Sequence, residues 1–135
     1  MSDWNDKIIA EFRANDGQVG GHFAGQPLLL LHTVGAKSGL PRVHPLMYQR
    51  IDGGYAVFAS KAGAPTSPDW YHNLLAQPRV QAEIGTETVE LVARVAADDE
   101  RERIWSAQKA AYPFYADYEQ KTTRRIPVVV LEPVR

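Results

Sequence analysis

Lys37, Ser38 and Arg42 stand close together in "HTVGAKSGLPRVHPL", residues 32–46, with Gly35 and Gly39 on either side of the first two. Glycines so placed permit dihedrals that aim successive backbone N–H groups into one concavity, an anion nest. Lysine adds a point charge, serine a hydroxyl, and arginine a planar fork suited to phosphate or carboxylate oxygens. Two familiar motifs fail here. A nucleotide P-loop, G-x-x-x-x-G-K-[ST], needs glycine where Leu31 and Ala36 stand and a helix afterwards, whereas a strand-like run follows. The nucleophile elbow G-x-S-x-G fails because Ser38 directly precedes Gly39. On spacing alone, the competing reading is a solvated hairpin whose Lys and Arg serve solubility.

A second stretch with chemical content is "FASKAGAPTSPDWYHNL", residues 58–74. It sets Ser60 and Lys61 at a strand end, then a Gly/Pro-rich loop, then a helix start bearing Trp70 and Tyr71. Strand ends, loops and helix N-termini commonly hold ligands, although Trp70 reads equally well as a core residue pinning the helix. In "AAYPFYADY", Tyr112, Tyr115 and Tyr118 recur every three residues, so their rings fall roughly on one side of a helix. Such a wall suits a planar, partly polar substrate, and an ordinary aromatic cluster is the alternative. His22, His32, His44 and His72 show no metal-ligand spacing. With no cysteine, disulfides, thiolate nucleophiles and Cys-held metals are excluded. The run "DDERE" reads as a solvated helix face.

These residues need a scaffold. A chain of 135 residues is most simply one domain, and a formal charge of −1 gives no bulk reason to expect nucleic-acid binding. "PLLLL" is too short to span a bilayer and no signal-peptide layout opens the chain, so a cytoplasmic location follows by default. "SDWNDKIIAEFRAND" predicts an amphipathic helix with Trp4, Ile8 and Phe12 on one face, followed by a connector through Gly17, Gly20, Gly21 and Gly25. "PLLLLHTV" reads as a strand, and "RVHPLMYQRI" with "GYAVFAS" as a hairpin around "DGG". A helix over "SPDWYHNLLAQP" takes Ser67 as N-cap and Pro78 as stop. "RVQAEIG" and "ETVELVARVAA" form a second hairpin around Gly85 and Thr86. "DDERERIWSAQKAA" is a helix with Asp99 and Glu102 at capping-box spacing. A short helical turn follows Pro113, and "RIPVVVLEP" is the last strand. Six strands in mostly hairpin order, without βαβ alternation, predict an antiparallel barrel in an α+β domain.

Four ordered segments, "TVGAKSGLPRVHPLMY", "FASKAGAPTSPDWYHNLLAQPRV", "YPFYADY" and "RIPVVVLEP", together resemble the deazaflavin-dependent nitroreductase family. Its members are small split β-barrels of the FMN-binding split-barrel type that use coenzyme F-420, a deazaflavin with a phosphate-lactyl-polyglutamate tail. The resemblance implies two parts: residues 1–26 as N-terminal amphipathic helix and glycine-rich connector, and 27–135 as the cofactor-binding barrel. It implies that Ala36, Lys37 and Ser38 bind the cofactor together with Arg42, Val43, His44, Pro45, Leu46 and Met47. Lys37 and Arg42 would meet the phosphate and carboxylates of the tail. Phe58, Ala59, Ser60 and Lys61 would line the deazaflavin and its side chain, as would Asp69, Trp70, Tyr71, His72 and Asn73. Ser60 matches a position near the reacting ring, Tyr115 one that touches cofactor and substrate, and Tyr112 and Tyr118 the other substrate-side tyrosines.

The reaction so implied is hydride transfer from reduced coenzyme F-420 to a quinone, nitroaromatic or conjugated carbonyl acceptor. Ser60 and a tyrosine hydroxyl would serve the acceptor oxygen. Two alternatives share the barrel: an FMN-dependent reductase, and a non-catalytic carrier of cofactor, lipid or haem. The first helix mixes Lys7 and Arg13 with Asp3, Asp6 and Glu11, which weakens peripheral attachment at the inner membrane. A homodimer is compatible with the fold, since sheet edges of split barrels commonly pair.

Overall fold

A computed structural model describes residues 3–18, 27–64 and 66–134. In chain order the elements are α1 (Asp3–Ala14), β1 (Leu28–Val34), β2 (Pro41–Met47), β3 (Gln49–Ile51), β4 (Gly54–Phe58), a 3-10 turn (Lys61–Gly63), α2 (Asp69–Ala76), β5 (Arg79–Ile84), β6 (Glu87–Val95), α3 (Asp98–Ala111), α4 (Phe114–Gln120) and β7 (Val128–Pro133). All pairings are antiparallel, and the strands lie in the order β2-β1-β5-β6-β7-β4-β3.

That order explains the barrel. β2 and β3 occupy opposite edges of the sheet, yet only Tyr48 separates them in sequence. One residue spans at most about 3.6 Å, so the edges meet only if the sheet curls round on itself. The expected single strand over 42–51 is therefore two strands. Residues 41–47 pair with β1, and only 49–51 form the hairpin with β4. Curling lets both edge strands bury apolar surface that a flat sheet would expose.

Side-chain alternation along the strands divides the core in two. Leu28 and Leu30 pack on one face with Phe58, Val128, Val130 and Trp105. Leu29 and Leu31 pack on the other with Val57, Val129, Leu131 and Trp70. Both faces are covered, which is why "LLLL" shows no polar alternation. The first face carries α1, α3 and α4. Ile8 and Phe12 are buried there as their spacing predicts, while the side chain of Trp4 lies outside the described residues. The second face carries α2 through Trp70 and Leu74. Of the connector glycines, Gly17 is described, with φ +93° and its Cα region against Gly85, where a Cβ would come 2.7 Å from the Gly85 Cα. Gly20, Gly21, His22 and Gly25 lie outside the described residues.

Two capping expectations fail. Pro68, in an extended conformation, stands at the cap of α2, and the Ser67 hydroxyl instead accepts from Arg124 Nη1 at 3.2 Å. α3 begins two residues earlier than a cap at Asp99 requires. Its cap is Ala97, Asp98 joins the first turn, and the Glu102 carboxylate pairs with Arg101 rather than reaching back. Asp98, Asp99 and Glu100 still place negative charge where the helix dipole favours it. Tyr112, before Pro113, leaves the helical region at φ −134°, ψ 86°, as the following ring demands.

Candidate functional site

The turn between β1 and β2 is a tight loop closed by its own backbone. The Gly35 N–H donates to the Leu40 carbonyl at 2.8 Å, and the Gly39 N–H to the Gly35 carbonyl at 2.9 Å. Gly39 has φ +70°, a left-handed value suited to glycine. The Leu40 N–H donates to Ser38 Oγ at 3.2 Å, so that hydroxyl braces the turn. The Ala36 N–H donates to Asn73 Oδ1 at 2.9 Å. Among the described residues, the N–H groups of Lys37 and Ser38 have no partner. Of the N–H groups expected to form an anion nest, only these two are free to meet a ligand.

A cleft of about 590 Å³ opens beside this turn, lined by Gly35 to Ser38, by Arg42 and His44 of β2, and by Asp69, His72 and Asn73 of α2. Its volume is in the range of small-molecule and cofactor sites. Strand parity puts Arg42 and His44 on the α2 side, whereas Val43 and Met47 pack with the opposite face. Pro45 shares their parity, and Leu46 packs on the α2 side. Lys37 is exposed and Arg42 half-buried. Neither makes an ion pair among the described residues, and Asp69 is the one carboxylate lining the cleft.

Asn73, 6 % exposed, holds the site together. Its Oδ1 takes the Ala36 N–H, and its Nδ2 donates to Thr33 Oγ1 at 3.1 Å. Thr33 Oγ1 lies 3.0 Å from His44 Nε2. Both amide ends of Asn73 are therefore engaged within the protein, and the side chain ties α2, β1 and the basic turn into one unit. Burial pushes the His44 pKa down; the Asp69 carboxylate opposes this, and Arg42 and His32 reinforce it. A neutral imidazole accepting the Thr33 hydroxyl proton satisfies all these groups.

The tyrosines are elsewhere. Tyr115 is buried on the first face, its ring stacked on Phe114 at 4.8 Å and 5.5 Å from Phe58, 5.9 Å from Trp105 and 5.5 Å from Tyr118. Tyr112 meets Phe114 at 6.0 Å. The row is part of an aromatic cluster, with Tyr112 and Tyr118 half-buried at its margin. The Tyr115 hydroxyl donates to Met47 Sδ at 3.6 Å. Burial, helped by neighbouring Tyr118, pushes its pKa well above that of an ordinary phenol, so it serves as a donor and not as a base.

None of residues 58–61 lines the cleft. Phe58 belongs to the aromatic cluster and Ala59 to the opposite core. Ser60 is buried, and Lys61 is exposed with φ +47°. The 3-10 turn then lies against α4: a Cβ on Gly63 would come 2.7 Å from the Tyr118 carbonyl oxygen. Trp70 is buried under α2, and Tyr71 faces the His72 ring at 5.6 Å. The sequence reading missed Thr33 and Arg124. Thr33 had a weak signal, a hydroxyl ending an apolar strand. Arg124 had none.

A family model for F420H(2)-dependent quinone reductases matches residues 4–133. The chain is 40% identical over 126 residues to an F420H(2)-dependent quinone reductase of Mycobacterium tuberculosis, covering 90% of this chain and 85% of that protein. A solved F420-H2 dependent reductase superposes with a TM-score of 0.72 at 43% identity, covering 84% of this chain and all of that one. Another solved structure, described as a domain-swapped dimer, gives a TM-score of 0.73 at 41% identity, covering 94% and 93% of the two chains. The curled antiparallel sheet and these likenesses agree, and the chain belongs to the F420H(2)-dependent quinone reductase family.

Proposed function

We propose that the chain carries out hydride transfer from reduced coenzyme F-420 to a quinone, and that the cleft between the basic turn and α2 receives the anionic tail of the cofactor. The observation that carries the placement is the donor set. A phosphate followed by carboxylates needs cations and N–H donors without partners of their own, and here Lys37, Arg42 and the N–H groups of residues 37 and 38 converge on one cleft. When bound, the reduced deazaflavin supplies a hydride and leaves the protein only the tasks of positioning and charge stabilisation.

This chain's residues divide those tasks. Lys37 and Arg42 neutralise the tail. Asn73 holds the Ala36 amide and with it the turn. The segment Phe58 to Lys61, which joins the aromatic cluster at Phe58 and leads on towards α2, is where the ring would lie. Ser60 and the tyrosine hydroxyls are the donors for an acceptor oxygen gaining charge, Tyr115 exchanging its bond to Met47 Sδ for one to the acceptor. The aromatic cluster supplies an apolar wall for a planar quinone and excludes water. Nitroaromatic acceptors fit the same wall. A homodimer belongs to the same reading, supported by the relative described as a domain-swapped dimer; sedimentation at micromolar concentration checks it, and a monomer there refutes it.

The test combines titration and turnover. Charge-assisted hydrogen bonds contribute about 1.5–3 kcal/mol each, so Lys37→Ala and Arg42→Ala should each weaken coenzyme F-420 binding by roughly 10- to 100-fold. The wild-type protein should oxidise reduced coenzyme F-420 with menadione. Unchanged affinity in both variants refutes the tail placement. Binding of FMN but not coenzyme F-420 moves the protein to the flavin alternative.

A further inference from the structure

Arg124 lies between α4 and β7, outside every segment that sequence reasoning connected with the cofactor, and its half-buried guanidinium is spent on a single loop. Nη2 donates to the carbonyls of Ala59 at 3.0 Å and Ser60 at 2.9 Å, Nε to the Ala64 carbonyl at 2.9 Å, and Nη1 to Ser67 Oγ at 3.2 Å. No carboxylate pairs with it among the described residues, and burial lowers its pKa. Three backbone carbonyls and a hydroxyl therefore converge on one planar cation. This is a geometry that guanidinium meets and an ammonium does not.

The clamped loop is unusual in itself. Lys61 is a non-glycine residue at φ +47°, a left-handed conformation that is sparsely populated and clusters where function demands a set geometry. Its ammonium makes no ion pair among the described residues. Gly63, at φ +83°, closes the turn with its N–H on the Ser60 carbonyl at 2.9 Å, and the Ala64 N–H donates to Lys61 O at 3.0 Å. One end of the loop joins β4 beside Phe58. The other leads into α2, whose Asp69, His72 and Asn73 line the cleft. The 3-10 turn abuts α4, which carries Tyr115 and Tyr118.

We propose that Arg124 is a positioning residue of the reductase, fixing Ser60 and Lys61 in the loop that joins β4 to α2 and abuts α4, so that both act on the bound cofactor. The inference rests on the cofactor placement proposed above. A loop that only closed the chain would need neither a left-handed lysine nor a desolvated guanidinium without a counter-ion. Here the guanidinium holds the loop carbonyls inward, and the unpaired Lys61 cation stays on the surface.

The experiment uses full-length Arg124→Lys and Arg124→Ala, with Arg103→Lys as a surface control. Lysine keeps the charge but cannot serve all four acceptors, so coenzyme F-420 affinity in Arg124→Lys should fall by about tenfold or more. In the cofactor-free protein the Gly63 and Ala64 amides should exchange faster than in wild type, with amides of the β5–β6 hairpin unchanged. Millimolar guanidinium should restore part of the affinity of Arg124→Ala and leave the wild type unaffected. Wild-type affinity and wild-type exchange in Arg124→Lys overturn the proposal. So does a lowered melting temperature with affinity unchanged, since that is what a purely structural clamp produces. Failure of the wild type itself to bind coenzyme F-420 overturns the cofactor placement and this inference with it. Should Arg124→Ala not fold, Arg124→Lys alone decides.

Discussion

Asn73 offers the sharpest perturbation, because its two amide ends perform separable tasks. Asn73→Ala deletes the bonds to the Ala36 N–H and to Thr33 Oγ1, each worth about 1 kcal/mol net. The Ala36 amide is exposed and regains water, and Thr33 keeps His44 as a partner. Neither group is then wholly orphaned. The expected loss is therefore about 2 kcal/mol rather than the larger penalty of a buried unsatisfied group. For a chain of this size that corresponds to a Tm lower by roughly 6–10 °C. The basic turn loses its only tether to α2 among the described residues, so affinity for coenzyme F-420 should fall too.

Asn73→Asp separates shape from charge. One carboxylate oxygen still accepts the Ala36 N–H, and the other accepts the Thr33 hydroxyl proton once His44 donates from Nε2. The turn keeps its place, but the cleft gains a negative charge. Against a ligand anion about 8 Å away, at an effective dielectric constant near 20, that costs about 2 kcal/mol, roughly a 30-fold loss of affinity. The assay is a fluorescence titration of coenzyme F-420 at low and high salt, paired with thermal melts. The aspartate deficit should shrink with salt and the alanine deficit should persist. An aspartate variant that binds as tightly as wild type removes the anion from this cleft. An alanine variant that melts early but binds normally shows that the turn does not depend on Asn73.

His44 gives the pH dependence. Its pKa is lowered in the fold from an ordinary 6.5, so below pH 6.5 the unfolded chain binds a proton that the folded chain refuses. Stability should decline as pH falls from 6.5 to the depressed value, by at most about 1.4 kcal/mol per pH unit; denaturant titrations from pH 5 to 7.5 read the slope, and His44→Gln should flatten it. Tyr115→Phe removes a phenol that donates to Met47 Sδ and stays protonated. Its folding cost should be under about 1 kcal/mol, with coenzyme F-420 affinity retained and quinone turnover lowered by about 100-fold if the hydroxyl stabilises developing charge. Unchanged kcat with menadione would remove Tyr115 from the chemistry.

What the sequence disclosed, and what it withheld, follows from the range of the interactions. The β5–β6 hairpin was legible because its turn is local, with Gly85 at φ +61° where the chain reverses. The basic side of the cleft was legible because one turn and the strand after it supply Lys37, Ser38, Arg42 and His44, whereas Asp69, His72 and Asn73 of α2 came only from the family resemblance. The division of "RVHPLMYQRI" at Tyr48 was not. An extended pattern runs through the residue unchanged, and only closure of the sheet gives its two halves different partners. The placement of the tyrosines apart from the cleft depends likewise on which face of the sheet each strand residue takes, and a one-residue shift reverses that face.

Arg124 shows the limit most plainly. "TTRRIP" holds two arginines in succession, the first in a bend that precedes β7. Arg125 turns outward to Asp98 at 2.8 Å, whereas Arg124 turns inward to four acceptors between Ala59 and Ser67. Composition, charge and propensity treat the pair as equals. The pairing of β7 with β4, where Val128 faces Phe58 and Val129 faces Val57 across the sheet, is what brings this bend beside the loop after Phe58. A functional role for one arginine rather than its neighbour is thus set by a strand pairing about seventy residues away in the chain, and it becomes visible only when that pairing is.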